Sequence, residues 1–255
     1  MTIWAMAFRL KAFALHLLIS ATVLSVSLGT LYLGWYHWPG WYLTGVSGVT
    51  AVLAGVDVVL GPLLTLVIAS PRKPRRELAR DIAVIGAIQL AALTYGTTQL
   101  WNGRPLYYAF SDNCLQIVQA YDLDPQDIAA ARAGHAPLSP HWYSLPRWIW
   151  VPLPADTAER DKLSRAEAAG GFDVTGMPQY FKPWERGLPA LRSQLKAVDD
   201  ISFFTLQEKK NLKARMQAAG MTVDQKNALP LTGRGRPLLA VFDPHSLRMR
   251  ALFKG

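Results

Sequence analysis

The eleven residues Gly55-Val56-Asp57-Val58-Val59-Leu60-Gly61-Pro62-Leu63-Leu64-Thr65 place a carboxyl group, two glycines and a proline inside an otherwise apolar run. A charge near the middle of a bilayer costs about 2.5–3.5 kcal/mol on insertion scales, so an acid there is paired or faces protein or a water-filled cavity. Pro62 has no N–H, so in an α-helix the carbonyl of Val58, one turn back, loses its donor, and lipid supplies no substitute. The segment therefore presents an acid, a freed carbonyl and a kink. Two readings stay open: a packing kink whose Asp57 is satisfied within the chain, and a site where Asp57 meets a partner.

The other reactive residue types are dispersed. His135 and His141 share a Pro-rich loop without a cysteine cluster or a His-x-x-x-His helix. The single cysteine, Cys114, excludes an intrachain disulfide and two-cysteine zinc or redox motifs. Gly233-Arg234-Gly235-Arg236 is short and precedes a strand, whereas a phosphate loop opens a helix. There is no nucleophile elbow. The expectation is a protein that is not an enzyme, with no catalytic residues, no metal ligands and no cofactor. The formal net charge is +9, but the basic residues form neither a dense patch nor a known nucleic-acid module, which argues against nucleic acid as a partner.

The apolar residues are unevenly placed. Roughly Ala12 to Tyr36, Thr44 to Ser70 and Ile82 to Trp101 are long apolar runs, each near or above the ~20 residues needed to span a bilayer. The first is too long for a signal-peptide core and lacks a clear cleavage site, so it reads as an uncleaved span. Arg9, Lys11 and the five basic residues between Pro71 and Arg80 mark the cytoplasmic side, leaving the aromatic loop 37–43 and everything after Trp101 outside. The expected division is a three-span transmembrane domain, 1–101, and an exterior domain, 102–255.

Small residues recur at every fourth position: Ala21, Ser25 and Gly29; Ser47, Ala51 and Gly55; Ala83, Ala87 and Ala91. Such stripes let membrane helices approach closely, and they are the expected packing faces of a three-helix bundle. Asp57 lies about 160° around the helix from Gly55. It shares its face with Thr50, Ala54, Gly61 and Ile68, and Pro62 adjoins it; this second face is the candidate partner-binding surface. At about 1.5 Å per residue, Ser25, Thr94 and Tyr95 come level with Asp57, while His16 and Gln89 lie nearer the cytoplasm.

Beyond Trp101 the pattern is that of a small α+β domain. Strands are expected at 105–111 and 114–121 around an Asp112-Asn113 turn, at 147–153, and in a closing hairpin at 236–242 and 247–253. Asp124-Pro125 reads as a helix cap and first residue. A second helix spans 157–169 and closes at Gly170-Gly171, a short one covers 189–198, and Thr205-Leu206-Gln207-Glu208 is a capping box opening a helix to Gly220. The loop aromatics Tyr180, Phe181 and Trp184 read first as structural.

Taken together, the short basic N-terminus, His16-Leu17-Leu18-Ile19-Ser20, the 55–65 motif, Asp81-Ile82-Ala83-Val84-Ile85, the Gln89–Gly96 stretch and Arg104-Pro105 resemble the TfpX/TfpZ-type type IV pilin accessory proteins. The resemblance is strong over about residues 10–121 and looser beyond, up to the closing hairpin around Leu238 to Asp243. It implies an inner-membrane protein of a piliated bacterium that assists assembly or stability of its cognate major pilin and is not itself a pilus subunit. The exterior domain would then be periplasmic, and the expected partners are that pilin, the inner-membrane lipids and other pilus assembly proteins. It implies no catalytic residue set. Competing classes are a membrane-anchored periplasmic sensor, disfavoured because no cytoplasmic output domain exists, and a pilin-modifying enzyme, which would need an exterior acid/base or metal constellation.

Overall fold

Three helices of the computed structural model, Ile3–Tyr36, Ser47–Ile68 and Arg75–Asn102, are long and apolar enough to cross a membrane. The structure describes residues 3–168 and 173–255; the expected Gly170-Gly171 cap lies outside the described residues. The chain forms two units, Met1–His37 with Val46–Asn102, and Trp38–Gly45 with Gly103–Gly255.

In the first unit, α1 (Ile3–Leu31) ends in a π-helical turn, Tyr32–Tyr36. The second span is composite: after the short α2 (Gly40–Thr44), which belongs to the other unit, come α3 (Ser47–Ala54), a π-helical segment Gly55–Leu60, and α4 (Gly61–Ile68). The third span is α5 (Arg75–Asn102). Tyr36 donates its hydroxyl to the Leu100 carbonyl at 2.8 Å, and the Trp35 and Trp101 rings meet edge-on at 5.0 Å. These aromatic contacts tie α1 to the end of α5.

In the second unit, a seven-stranded mixed sheet has the order β4-β3-β1-β2-β5-β6-β7. β1 (Pro105–Ser111) and β2 (Cys114–Gln119) form the expected hairpin, and β3 (Arg147–Trp150) adds in parallel to β1. β4 is the two-residue Lys182–Pro183. β5 (Ala228–Thr232) joins the halves by a short parallel ladder to β2 and an antiparallel one to β6 (Leu238–Phe242), which pairs with β7 (Met249–Lys254). The expectation had no strand at β5, a short run that contains Pro230. Pro230 precedes the two residues, Leu231 and Thr232, that pair with β2, so its missing N–H falls outside that ladder.

Helices α6 (Pro125–Ala133), α7 (Thr157–Ala168), α8 (Leu188–Gln194) and α9 (Leu206–Ala218) cover the sheet or its edges. Local chemistry explains their starts. The Asp124 side chain accepts from Gln126 N at 2.7 Å with Pro125 in the first turn. Glu208 Oε2 accepts from Thr205 N at 2.8 Å while Thr205 Oγ1 accepts from Glu208 N at 3.3 Å. One sheet face packs Tyr108, Phe110, Leu115, Leu229, Leu231 and Ala240 against Leu191 and Leu195. The opposite face carries two separate clusters, one around Tyr107, Val118, Ile149 and Phe181, the other joining Leu239 and Val241 to Leu212 and Met216.

The aromatic segment 38–45 packs onto this second unit. Gly235 N donates to Leu43 O at 2.7 Å, Leu43 is fully buried in the core, and the Lys254 ammonium lies over the Trp38 and Tyr42 rings at 5.2 and 4.7 Å. Gly235 is required by this approach, since a Cβ there would sit 2.2 Å from the Tyr42 carbonyl oxygen. Backbone cannot swing aside as a side chain can. Gly235→Ala is therefore expected to destabilise the second unit by about 1–3 kcal/mol, measured by denaturant unfolding of the detergent-solubilised chain.

The closing hairpin carries an acid-sensitive turn. Backbone N–H groups of Ser246 and His245 donate to Asp243 Oδ1 at 2.9 and 3.0 Å, and Arg250 lies 2.5 Å from Oδ2. These contacts, that from Ser246 foremost, hold the carboxyl down to about 2. Because the folded value lies below the ordinary value of about 3.9, the stabilisation is present above pH ~4 and lost as pH falls toward ~2. Wild type should lose more stability than Asp243→Asn between pH 5 and pH 2, read from unfolding midpoints of the full chain.

Candidate functional site

The first six residues of the 55–65 motif form a π-helical segment, Gly55–Leu60, after which Gly61 N bonds Val56 O, five residues back. In that register the missing Pro62 N–H would have gone to Asp57 O. The freed carbonyl is thus Asp57's and not Val58's as an α-helical count predicts, because the π turn moves each partner by one residue. Gln89 replaces the lost donor: its Nε2 donates to Asp57 O at 3.0 Å and to Ser20 Oγ at 3.4 Å. Gly61 makes this possible, since a Cβ there would lie 2.2 Å from Gln89 Nε2.

The cluster extends to α1. His16 Nε2 lies 2.7 Å from Gln89 Oε1, and His16 Nδ1 lies 2.6 Å from Thr65 Oγ1. The amide oxygen can only accept, so Nε2 carries a proton. In the neutral imidazole Nδ1 then accepts from the Thr65 hydroxyl. His16, Thr65 and Gln89 thereby link all three spans through one chain of hydrogen bonds. Thr65 and Gln89 are buried.

Asp57 itself is buried, 4% exposed. Its main chain is used by Gln89, but its side-chain Oδ2 has no hydrogen-bond partner among the described residues. The residue borders a cavity of about 180 Å3, whose other walls are His16, Ile19, Ser20 and Val23 of α1 and Gly86, Gln89, Leu90 and Leu93 of α5.

This arrangement corrects three expectations. Ser25, Thr94 and Tyr95 do not reach Asp57: Ser25 and Tyr95 are exposed, and Thr94 Oγ1 donates to Leu90 O at 2.7 Å. Counting depth from Ala12 and Ile82 misplaces the level. Arg9 to Ser20 and Asp57 to Ile68 are equal intervals of eleven residues, which brings His16, Ser20 and Gln89 to the acid. Next, the second-span face expected to be free is largely internal: Asp57, Gly61 and Pro62 are buried, and Thr50 and Ala54 half-buried. Finally, the small-residue stripes point outward. Ser25, Ser47, Ala51, Gly55, Ala83, Ala87 and Ala91 are exposed, Ala21 and Gly29 half-buried, and a Cβ at Gly29 or Gly55 would meet nothing within 4 Å. The close approaches occur instead at Gly61 and at Gly96, where a Cβ would lie 2.4 Å from Leu53 Cδ2. Polar side chains that must find partners in lipid fix the helix rotation, and small residues that can face lipid or protein do not.

Gln89→Leu removes the surrogate donor and strands the Asp57 carbonyl and the His16 N–H, so a loss of about 1–3 kcal/mol is expected. His16→Leu combined with Gln89→Leu should cost clearly less than the two singles added, because the second change removes a group the first has orphaned. Unfolding of the bundle by dodecyl sulfate, followed by tryptophan fluorescence, reads both. Simple additivity would show that the cluster does not act as a unit.

No family model matches the chain, and no solved structure matches it. Curated relatives do. A fimbrial assembly protein of serogroup I from Dichelobacter nodosus is 27% identical over 247 residues, 92% of this chain and 91% of the relative. One of serogroup E1 from the same organism is 26% identical over 246 residues, again 92% and 91%. One of serogroups C1 and C2 is 31% identical over 116 residues, covering 46% of this chain and 88% of the relative. With that last identity over most of the relative, the chain belongs to the fimbrial assembly protein family.

Proposed function

We propose that this protein works in the assembly of a type IV pilus, as a membrane-embedded accessory that binds its cognate major pilin. The observation that carries this reading is the alignment of some nine-tenths of the chain with proteins named for fimbrial assembly. The architecture suits the task. A pilin awaiting assembly is a hydrophobic helix with an exterior head, and this chain pairs a three-span bundle with a separate α/β unit. In this reading the bundle holds the pilin helix and the second unit touches the head.

The bacterial inner membrane is the proposed location. Arg9, Lys11 and the basic 72–80 loop favour a cytoplasmic N-terminus and a periplasmic second unit. Inner-membrane lipids and other pilus assembly proteins complete the partners. Binding is preferred to catalysis because His16, the imidazole that borders the same cavity as Asp57, is engaged structurally. Both nitrogens of His16 lie in hydrogen bonds that join helices. Of the candidate binding residues, Gly61 and Pro62 serve the internal packing. Thr50 Oγ1 donates to Val46 O at 3.1 Å, and Ala54 is half-buried. The contribution of the second span to a partner then falls to the Asp57 carboxyl.

The test is recovery of pilin with the tagged, detergent-solubilised protein from cells that express the cognate major pilin, with a non-cognate pilin as control. Selective recovery of the cognate pilin is expected. Equal recovery of both, or of neither, from folded protein and intact pilins would overturn the pilin-binding reading.

A further inference from the structure

The Asp57 carboxyl is the one part of the buried cluster that the packing does not use. Main-chain repair needs a carbonyl at position 57, the gap at Gly61 and the amide of Gln89. Any residue supplies the carbonyl. The carboxyl is extra, and burying an unpaired acid carries a cost.

The amide and imidazole donors beside it are spent, which leaves only the neutral Ser20 hydroxyl among the described residues of the cavity wall. Both N–H directions of Gln89 are engaged, one by Asp57 O and one by Ser20 Oγ, and the His16 Nε2 proton goes to Gln89. Residues 12–71 and 81–103 contain no lysine or arginine, and both ring nitrogens of His16 are already bonded to Thr65 and Gln89. A permanent positive charge beside Asp57 would therefore come from another molecule.

The geometry points to the cavity beneath Asp57 as a binding site for a primary ammonium carried by a transmembrane helix of a partner protein, entering sideways between α1 and α5. Two features define the route. The cavity walls come from α1 and α5, and rim residues Ile19 and Leu90 are 54% and 64% exposed, so the mouth is apolar. Its ~180 Å3 admits the end of one side chain or a chain terminus and not a helix. Depth selects the source. Asp57 is eleven residues from the end of α4 at Ile68, roughly 16 Å at 1.5 Å per residue, which is near the middle of a hydrocarbon layer about 30 Å thick. A lipid headgroup amine resides at the interface, whereas an amine on a helix can be held at this depth. The site deepens the pilin-binding reading and rests on its premise of a membrane-embedded partner, without requiring that the partner be pilin.

The full-length protein in nanodiscs is mixed with a biotinylated leucine-rich transmembrane peptide bearing one central lysine, and with the same peptide bearing norleucine. Wild type should bind the lysine peptide at least about tenfold more tightly than the norleucine peptide, the loss expected when a buried charge pair is broken. Asp57→Asn, which keeps the carbonyl for Gln89, should erase that preference. Ile19→Trp, at the exposed rim and outside the polar cluster, should erase it too, and it serves as the reporter if Asp57→Asn fails to fold. Equal binding of the two peptides by wild type would overturn the proposal and leave Asp57 an uncharged internal acid. A preference present in phosphatidylglycerol discs but abolished when phosphatidylethanolamine is included would overturn the helix assignment in favour of a headgroup. Loss of selective pilin recovery by wild type, with the lysine preference intact, would overturn only the pilin reading.

Discussion

One missing N–H organises the transmembrane bundle. Pro62 cannot donate, and a backbone carbonyl left open in lipid costs several kcal/mol. The remedy involves the whole bundle. Gln89 must cross from α5 to reach Asp57 O, Gly61 must have no side chain for it to fit, and its amide oxygen must be held so that the amine end points correctly. His16 from α1 does this, and Thr65 holds His16 in turn. A local defect in the second span thus specifies the rotation of the other two. The helices need no contiguous small-residue seam, because each polar bond has one satisfying geometry and small residues have many.

The second unit follows a different constraint. Its sheet is covered on one face by a continuous core and on the other by two separate clusters, and the halves meet at the two-residue ladder between β2 and β5. So short a ladder leaves the join to be reinforced elsewhere. Segment 38–45 does so on the continuous face. Leu43 packs with Ile117 and Leu231, and the Leu43 carbonyl accepts from Gly235 just past β5. The connection between the first two spans is therefore a structural component of the sheet domain.

Much of this is legible in the amino-acid sequence where the determinant is local. The Asp124-Pro125 start and the Thr205–Glu208 box depend on residues within one turn, and both form as read. The three spans follow from length and hydropathy. Strand β5 is hidden because Pro230 speaks against a strand locally, while the pairings that make it one come from β6 on one side and, on the other, from β2 more than a hundred positions away. Around Asp57 the ingredients are visible and their assembly is not. An α-helical count frees the wrong carbonyl by one residue, since nothing in the spelling of 55–65 announces the π register. The level of Asp57 depends on where α1 and α5 begin, and both helices run well past the apolar stretches that mark them.

The crevice beside Asp57 follows from the kind of contact that joins α1 to α5. Two helices packed through small residues close the space between them. Here part of the join is a side-chain bridge, His16 to Gln89, and a bridge of that length keeps the backbones apart. The bridge fills the gap at its own level, while Ser20 and Gly86, one turn to either side of it, are too small to fill theirs. The volume left over lies directly against the carboxyl. The same hydrogen bonds that repair the proline break therefore leave an opening beside the acid, and they engage the amide and imidazole donors that would otherwise have reached it. A bundle selected only for stability would place an apolar residue at 57, keep the carbonyl for Gln89 and close the gap. That this one has a carboxyl there, walled on one side by its own repair network and open on the other to exposed Ile19 and Leu90, is the physical argument for a ligand that arrives through the lipid.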